Sequence, residues 1–165
     1  MKKNVLVGQS GGPTAVINAS LYGVVTESLK HDEEIDTVYG MVNGIEGFLA
    51  DHYLDLSHTL GSRELELLKL TPAAYLGSCR FKLPEDLNSE VYRTLFRKFE
   101  ALNIGYFFYI GGNDSMDTVS KLSRYAAAVK SGIRVIGVPK TIDNDLIMTD
   151  HTPGFGSAAK YAASM

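Results

Sequence analysis

The chain has one cysteine, no tryptophan and no long apolar run, and these shortages exclude whole classes of protein. A lone thiol, Cys79, allows no intrachain disulfide and no zinc cluster built on several thiolates. That fits a reducing cytoplasm. No segment approaches the roughly 20 apolar residues that span a bilayer, so no membrane partner is expected. The start, Met1-Lys-Lys-Asn-Val-Leu-Val-Gly8, has the basic residues of a secretory leader, but only Val5, Leu6 and Val7 run apolar together. Positive charge is not in excess either. A net charge of -3 offers no basic face to nucleic acid. Anionic ligands stay open, because backbone amides and a few cations build phosphate sites locally. His31, His52, His58 and His151 lack metal-ligand spacing. What is present, 45% hydrophobic and 21% charged residues over 165 positions, suits one folded domain with a single core.

Asn4 to Gly8 reads as a short buried strand, stopped by Gln9-Ser-Gly-Gly-Pro13. Ala15, Val16, Ala19, Tyr22 and Val25 then recur at helical spacing to about Lys30, with Pro13 in the first turn. Asp36 to Tyr39 reads as a second strand. Met41 to Ala50, with Gly44 and Gly47, shows no decisive period, and Tyr53 to Ser78 is expected to hold a small strand and a short helix over Arg63 to Leu70. Asn88 to Leu102 carries Val91, Leu95, Phe99 and Leu102 on one helical stripe. Ile104 to Ile110, nearly all apolar, has the pattern of a central parallel strand. A helix over Met116 to Lys130, closed by Ser131-Gly132, leads to a strand over Arg134 to Val138. A polar loop fills Pro139 to Pro153, and a helix begins near Phe155. Strands and helices alternate, so the expected fold is α/β: a doubly wound, mostly parallel sheet in a three-layer αβα arrangement. The last helix has no stop signal before Met165, which reads as a truncated donor-binding domain over 1–165.

Ligands of open α/β sheets bind outside the carboxyl ends of the strands. Three such ends carry unusual sequences here. Gln9-Ser-Gly-Gly-Pro13 offers glycine amides at a helix N-terminus, suited to phosphate, though a plain tight turn looks the same. It is neither a Walker A loop nor a G-x-G-x-x-G fingerprint. Gly111-Gly-Asn-Asp-Ser115 puts three polar residues where one N-cap would suffice. Pro139-Lys-Thr-Ile-Asp-Asn-Asp145 gathers Lys140, Asp143 and Asp145 within six residues. Phosphoryl transfer needs such a set: a carboxylate to take a proton, a carboxylate for Mg²⁺ and a cation for developing charge.

At these turns the sequence resembles the phosphofructokinase family, over essentially its whole length. Ser10-Gly-Gly-Pro13 resembles the first phosphate loop of that family, and Gly77-Ser-Cys-Arg-Phe81 its Gly-Ser-x-Arg-Phe segment. The other two turns resemble its second and third loops. The resemblance implies that Asp143 is the general base for the 1-hydroxyl of fructose 6-phosphate, and that Thr141 contacts the sugar and the transferring group. It places Asp145 near metal and substrate, and Gly12, Arg80, Gly112 and Ser115 against the donor phosphates. Mg²⁺ is the implied cofactor, held by Asn113 and Asp145; the usual family residue at Asn113 is aspartate. A homo-oligomer of the full-length protein is implied too.

The resemblance also bears on the donor. ATP-using members have glycines where Asp114 and Lys140 stand, whereas the pyrophosphate-dependent branch is similar to this chain at both. A carboxylate at 114 would meet the α-phosphate of ATP. Two unit charges about 4 Å apart interact by about 1 kcal/mol in water and about 4 kcal/mol at a dielectric of 20. Lys140 suits a bare phosphate. The expectation is therefore reversible transfer from pyrophosphate to fructose 6-phosphate. Two alternatives stay open: an ATP-dependent phosphofructokinase, or a donor-binding fragment silent by itself.

Overall fold

The computed structural model describes residues 1–165. In chain order the elements are β1 (Lys3–Gln9), α1 (Ile17–Lys30), β2 (Ile35–Met41), α2 (Gly44–Leu49), β3 (Tyr53–Asp55), α3 (Leu56–Thr59) and α4 (Ser62–Leu68). Then come α5 (Glu90–Ala101), β4 (Ile104–Gly111), α6 (Asn113–Ala128), β5 (Arg134–Pro139) and α7 (Phe155–Ser164). They form one sheet of order β3-β2-β1-β4-β5. Four strands run parallel, and β3 closes one edge antiparallel to β2.

Register explains why the strands are so apolar. Tyr39, Leu6, Phe107 and Val135 align across the sheet and point to one face. There they meet Phe48 of α2, Tyr92, Leu95 and Phe99 of α5, and Leu122 of α6. Their neighbours Val5, Val7 and Val38 point to the other face, against Ile17, Leu21 and Val25 of α1 and Leu65 and Leu68 of α4. A strand buried on both faces cannot alternate polar and apolar residues. Each fully buried Leu, Val or Phe adds about 1.5–3 kcal/mol relative to exposure. The result is the three-layer αβα arrangement expected from the alternation of elements. No helix is long and apolar enough to cross a membrane.

The order of strands also positions the site. From β1 the chain moves outward to β2, and from β4 it moves outward the other way to β5. Between β1 and β4 the connections therefore diverge and leave a crevice at the carboxyl ends of both strands. Loops 10–16, 112 and 140–153 border that crevice.

Several elements differ from expectation. Helix α1 begins at Ile17, not near Ala15, after a turn in which the Ile17 N–H donates to the Thr14 carbonyl at 3.2 Å and Val16 is already helical. Helix α6 begins at Asn113 rather than Met116, and its N-cap is Gly112. Asn113, Asp114 and Ser115 thus occupy the first helical turn, and none of them caps it. The same helix reverses at Lys130 (φ 53), not at Gly132, with the Ser131 N–H returning to the Ala126 carbonyl at 2.8 Å. The undecided stretch after Met41 folds as α2, entered through left-handed Asn43 and Gly44. Helix α3 was invisible in the sequence, since four residues carry no period; Asp55 caps it by accepting the His58 N–H.

Candidate active site

The first loop is shaped by bonds that leave part of it free. Gly11 has φ 75, where a side chain would be strained. Its N–H donates to the Cys79 carbonyl at 3.1 Å, and its own carbonyl accepts the Ser78 hydroxyl at 2.5 Å. These bonds pin the 77–81 segment to the loop and bring Arg80 beside it. Below, the buried Gln9 side chain donates to the Ile17 carbonyl at 3.1 Å and to Asn18 Oδ1 at 2.9 Å, while its Oε1 accepts the Leu76 N–H at 2.9 Å. Asn18 in turn donates to the Thr71 and Ala73 carbonyls. Every member of this buried network is satisfied, which stiffens the loop. The Gly12 N–H bonds to nothing in the protein.

The second loop docks on the first. Ser10 and Ser115 share a buried hydroxyl–hydroxyl bond across the β1–β4 crevice. Gly111 lies under that pair so closely that a Cβ would fall 2.0 Å from Ser115 Oγ. Beneath them burial pushes the Tyr109 phenol well above its ordinary pKa. The Gly112 N–H also lacks an acceptor. Both glycines line one hollow, and free amides there, one of them at a helix N-terminus, favour an anion.

The third loop adds charge. The Lys140 N–H donates to the Gly111 carbonyl at 3.0 Å, which ties β5 to the second loop. The Lys140 side chain is only 6% exposed, yet its ammonium pairs with no carboxylate. It lies 3.8 Å from where a Gly11 Cβ would stand and 4.0 Å from the corresponding point at Gly112. Burial lowers its pKa, and the Arg80 guanidinium adds repulsion. Beyond it, the Thr141 N–H donates to the Pro153 carbonyl at 2.9 Å, and Thr141 Oγ1 accepts the Asp143 N–H at 3.0 Å. The Thr141 hydroxyl, then the Asn113 amide, hold the Asp145 carboxyl below the usual carboxylate range. The Asn113 Nδ2 stands 3.3 Å from Asp145 Oδ2.

Of the residues singled out from sequence, Gly12, Gly112, Asn113, Lys140, Thr141 and Asp143 line one cavity of about 260 Å³. Asp145 joins it through Asn113. Arg80, Asp114 and Ser115 line a second, smaller recess of about 30 Å³ on the other side of the Gly11 turn. Asp114 and Lys140 thus line different hollows, although Arg80 in the smaller one also repels the Lys140 ammonium. Asp114 instead lies 3.9 Å from Lys82, both well exposed, at the mouth of the Arg80 recess. The helical start at Asn113 is the cause: it turns residue 114 about 100° around the axis from 113. A larger hollow, about 810 Å³, lies at the amino ends of β1, β4 and β5 around Lys3, Arg93 and Ile133, and contains none of these residues. Sequence reasoning missed Thr14, which lines the 260 Å³ cavity, and the supporting Gln9–Asn18 network. Buried polar side chains in a strand and a helix were the available signal for that network.

Could these residues hold a divalent cation? Asp145 offers a carboxylate, Asn113 turns its amide nitrogen rather than its oxygen toward it, and no three His, Cys, Asp or Glu side chains cluster. Mg²⁺ commonly takes one or two carboxylates plus substrate phosphates and water. The Asp145 carboxylate alone is compatible with that mode, and Asn113 would join it only with its amide turned over.

The fold is an open α/β domain, and its switch-point crevice, with free glycine amides, an ammonium that pairs with no carboxylate and nearby carboxylates, lies where such domains take their ligands. The chain belongs to the phosphofructokinase family, whose profile matches residues 4–165. It is 49% identical over 162 residues to the pyrophosphate–fructose 6-phosphate 1-phosphotransferase of Rhodospirillum rubrum, covering 98% of this chain and 39% of that protein. An ATP-dependent 6-phosphofructokinase of Glaesserella parasuis is 33% identical, with 98% and 46% covered. Among solved structures, the pyrophosphate-dependent phosphofructokinase of Nitrosospira multiformis superposes with a TM-score of 0.91 at 44% identity, over 98% of this chain and 40% of that one. The chain thus spans about two fifths of the length of these pyrophosphate-dependent relatives.

Proposed function

We propose that this chain is the donor-binding part of an enzyme that transfers a phosphoryl group from pyrophosphate to the 1-hydroxyl of fructose 6-phosphate. The observation that carries the reading is Lys140. A largely buried lysine without a counter-charge is costly, and its ammonium lies beside the Gly11 and Gly112 backbone in a cavity sized for a phosphate or two. An inorganic anion offsets that cost in a way no protein group does. The pyrophosphate-dependent activity named for the more similar relatives supports the same donor.

In this reading Gly12, Gly112 and Arg80 orient the donor, and Ser115 steadies the loops that do so. Lys140 neutralises charge on the oxygens of the reacting phosphorus. Asp143 takes the proton of the sugar hydroxyl as its oxygen attacks, the anhydride P–O bond breaks, and orthophosphate leaves. Thr141 fixes the loop that carries Asp143 and contacts the sugar; Asp145 lies at the same edge. Mg²⁺, at Asn113 and Asp145, would supply charge neutralisation for the phosphates. Phosphoanhydride and product are close enough in free energy for the transfer to run both ways, which suits glycolysis or gluconeogenesis.

Asp114 sets the donor from the Arg80 recess rather than from the Lys140 side. A nucleotide must extend beyond the two phosphates, and a carboxylate at the next opening meets that extension. Cytoplasmic placement fits the buried free thiol of Cys79. A further domain and a homo-oligomer belong to the same proposal. The test is an assay of the intact protein with pyrophosphate and with ATP, repeated on Asp114→Gly. Pyrophosphate preference in the parent and improved ATP use in the variant are expected. A parent that prefers ATP refutes the donor assignment.

A further inference from the structure

Two buried side-chain polar atoms in the chain lack any hydrogen-bond partner: the hydroxyls of Thr14 and Thr152. Native structures pair nearly all such atoms, and an exception calls for a specific cause such as a ligand. Both occur beside one feature, the strap that leaves β5 and returns through the Thr141–Gly154 bridge. Thr152 is 4% exposed and lies on the strap itself, outside the lining of the cavity. Thr14 lies across from the strap, with its hydroxyl 3.6 Å from where a Gly154 Cβ would stand. Unlike Thr152, Thr14 also lines the cavity shared by Gly12, Lys140 and Asp143.

We propose that Thr14 is a further ligand of the donor: its hydroxyl bonds a non-bridging oxygen of the phosphoryl group lying between the Gly12 amide and the Lys140 ammonium. Three features converge on that role. Gly12 and Thr14 flank Pro13, whose fixed φ holds them in a set relation. Threonine has three staggered χ1 states, so one step of about 120° exchanges the positions of hydroxyl, methyl and hydrogen without moving the backbone. A hydroxyl can both donate and accept, so it serves the donor oxygen before transfer and the orthophosphate oxygen after it. Valine has the same shape and neither capacity.

An orphan hydroxyl kept for a ligand has a signature that a structural hydroxyl lacks. Replacing an unpaired buried hydroxyl by a methyl relieves a desolvation cost in the free protein, while the bound state loses a bond to a charged group. Stability and donor affinity should therefore move in opposite directions. The role rests on the proposed pyrophosphate reading, so the experiment reads both. In the intact protein, Thr14→Val and Thr14→Ser are compared with the parent for the KM of pyrophosphate, the KM of fructose 6-phosphate and Tm. Thr14→Val should raise the pyrophosphate KM about tenfold or more, the loss expected for a hydrogen bond to a charged group. Its sugar-phosphate KM should stay put and its Tm should not fall. Thr14→Ser should keep the parent pyrophosphate KM within about threefold. An unchanged pyrophosphate KM in Thr14→Val overturns the role and leaves the donor reading standing. Parallel rises in both KM values with a lower Tm also overturn it, in favour of plain packing. If valine does not fold, Thr14→Ala is read by the same criteria. A parent without pyrophosphate turnover removes the donor reading and this role together.

Discussion

Replacing Lys140 by methionine separates the two effects of one buried charge. In the free protein Lys140 is 6% exposed, its ammonium pairs with no carboxylate, and its pKa is lowered by burial and by Arg80. Methionine keeps the length of the side chain and removes the charge. Relief of a partly desolvated cation should stabilise the free protein by up to about 1 kcal/mol, which raises Tm by at most roughly 2–4 °C in a domain of this size. Donor binding should move the other way. A unit charge about 4 Å from one phosphate charge contributes about 4 kcal/mol at an effective dielectric of 20, or roughly a thousandfold in affinity. Part of that is returned by the desolvation no longer required, so a loss of about 10²- to 10³-fold in kcat/KM for pyrophosphate is the working figure. Calorimetry and steady-state kinetics on the intact protein read both. A variant that melts lower and binds pyrophosphate as well as the parent would refute the argument, because the ammonium would then be a structural group.

Other outcomes follow from the same geometry. Because the folded pKa of Lys140 lies below its unfolded value, the unfolded chain binds more protons between the two. The contribution of Lys140 to stability should therefore rise with pH across that window, while pyrophosphate affinity falls as pH passes the lowered pKa; Lys140→Met should flatten both limbs in melting and kinetic profiles. Asp143→Asn should cut kcat by about 10²- to 10⁴-fold with little change in Tm, since Asp143 is exposed and takes part in the fold through its N–H rather than its carboxylate. An Asp143→Asn protein that keeps parental turnover would remove the residue from the role of base.

The architecture could be read from sequence because it depends on local patterns. Apolar runs such as Ile104 to Ile110, short, rich in aromatic residues and ended by a glycine pair, read as strands buried on both faces, and helical stripes between them leave few topologies. The three loops were legible for the same reason: each interrupts the pattern at a strand end with residues a turn does not need. Their gathering at one end of the sheet was therefore legible before any coordinates.

Tertiary structure decided what those loops do to one another. Spacing along the chain cannot tell that residue 113 faces Asp145 while 114 faces Lys82, because that depends on α6 beginning at Asn113. Nor can it tell that Lys140 is buried without a partner, since burial is a property of everything packed around a side chain. Thr14 was silent in the sequence for the same reason: a threonine after a proline is common, and its hydroxyl matters only when neighbours from residues 141–154 close over it. Periodicity and turn chemistry act between near neighbours and are written in order along the chain. Charge pairing, desolvation and cavity shape act through space, and only the folded arrangement fixes them.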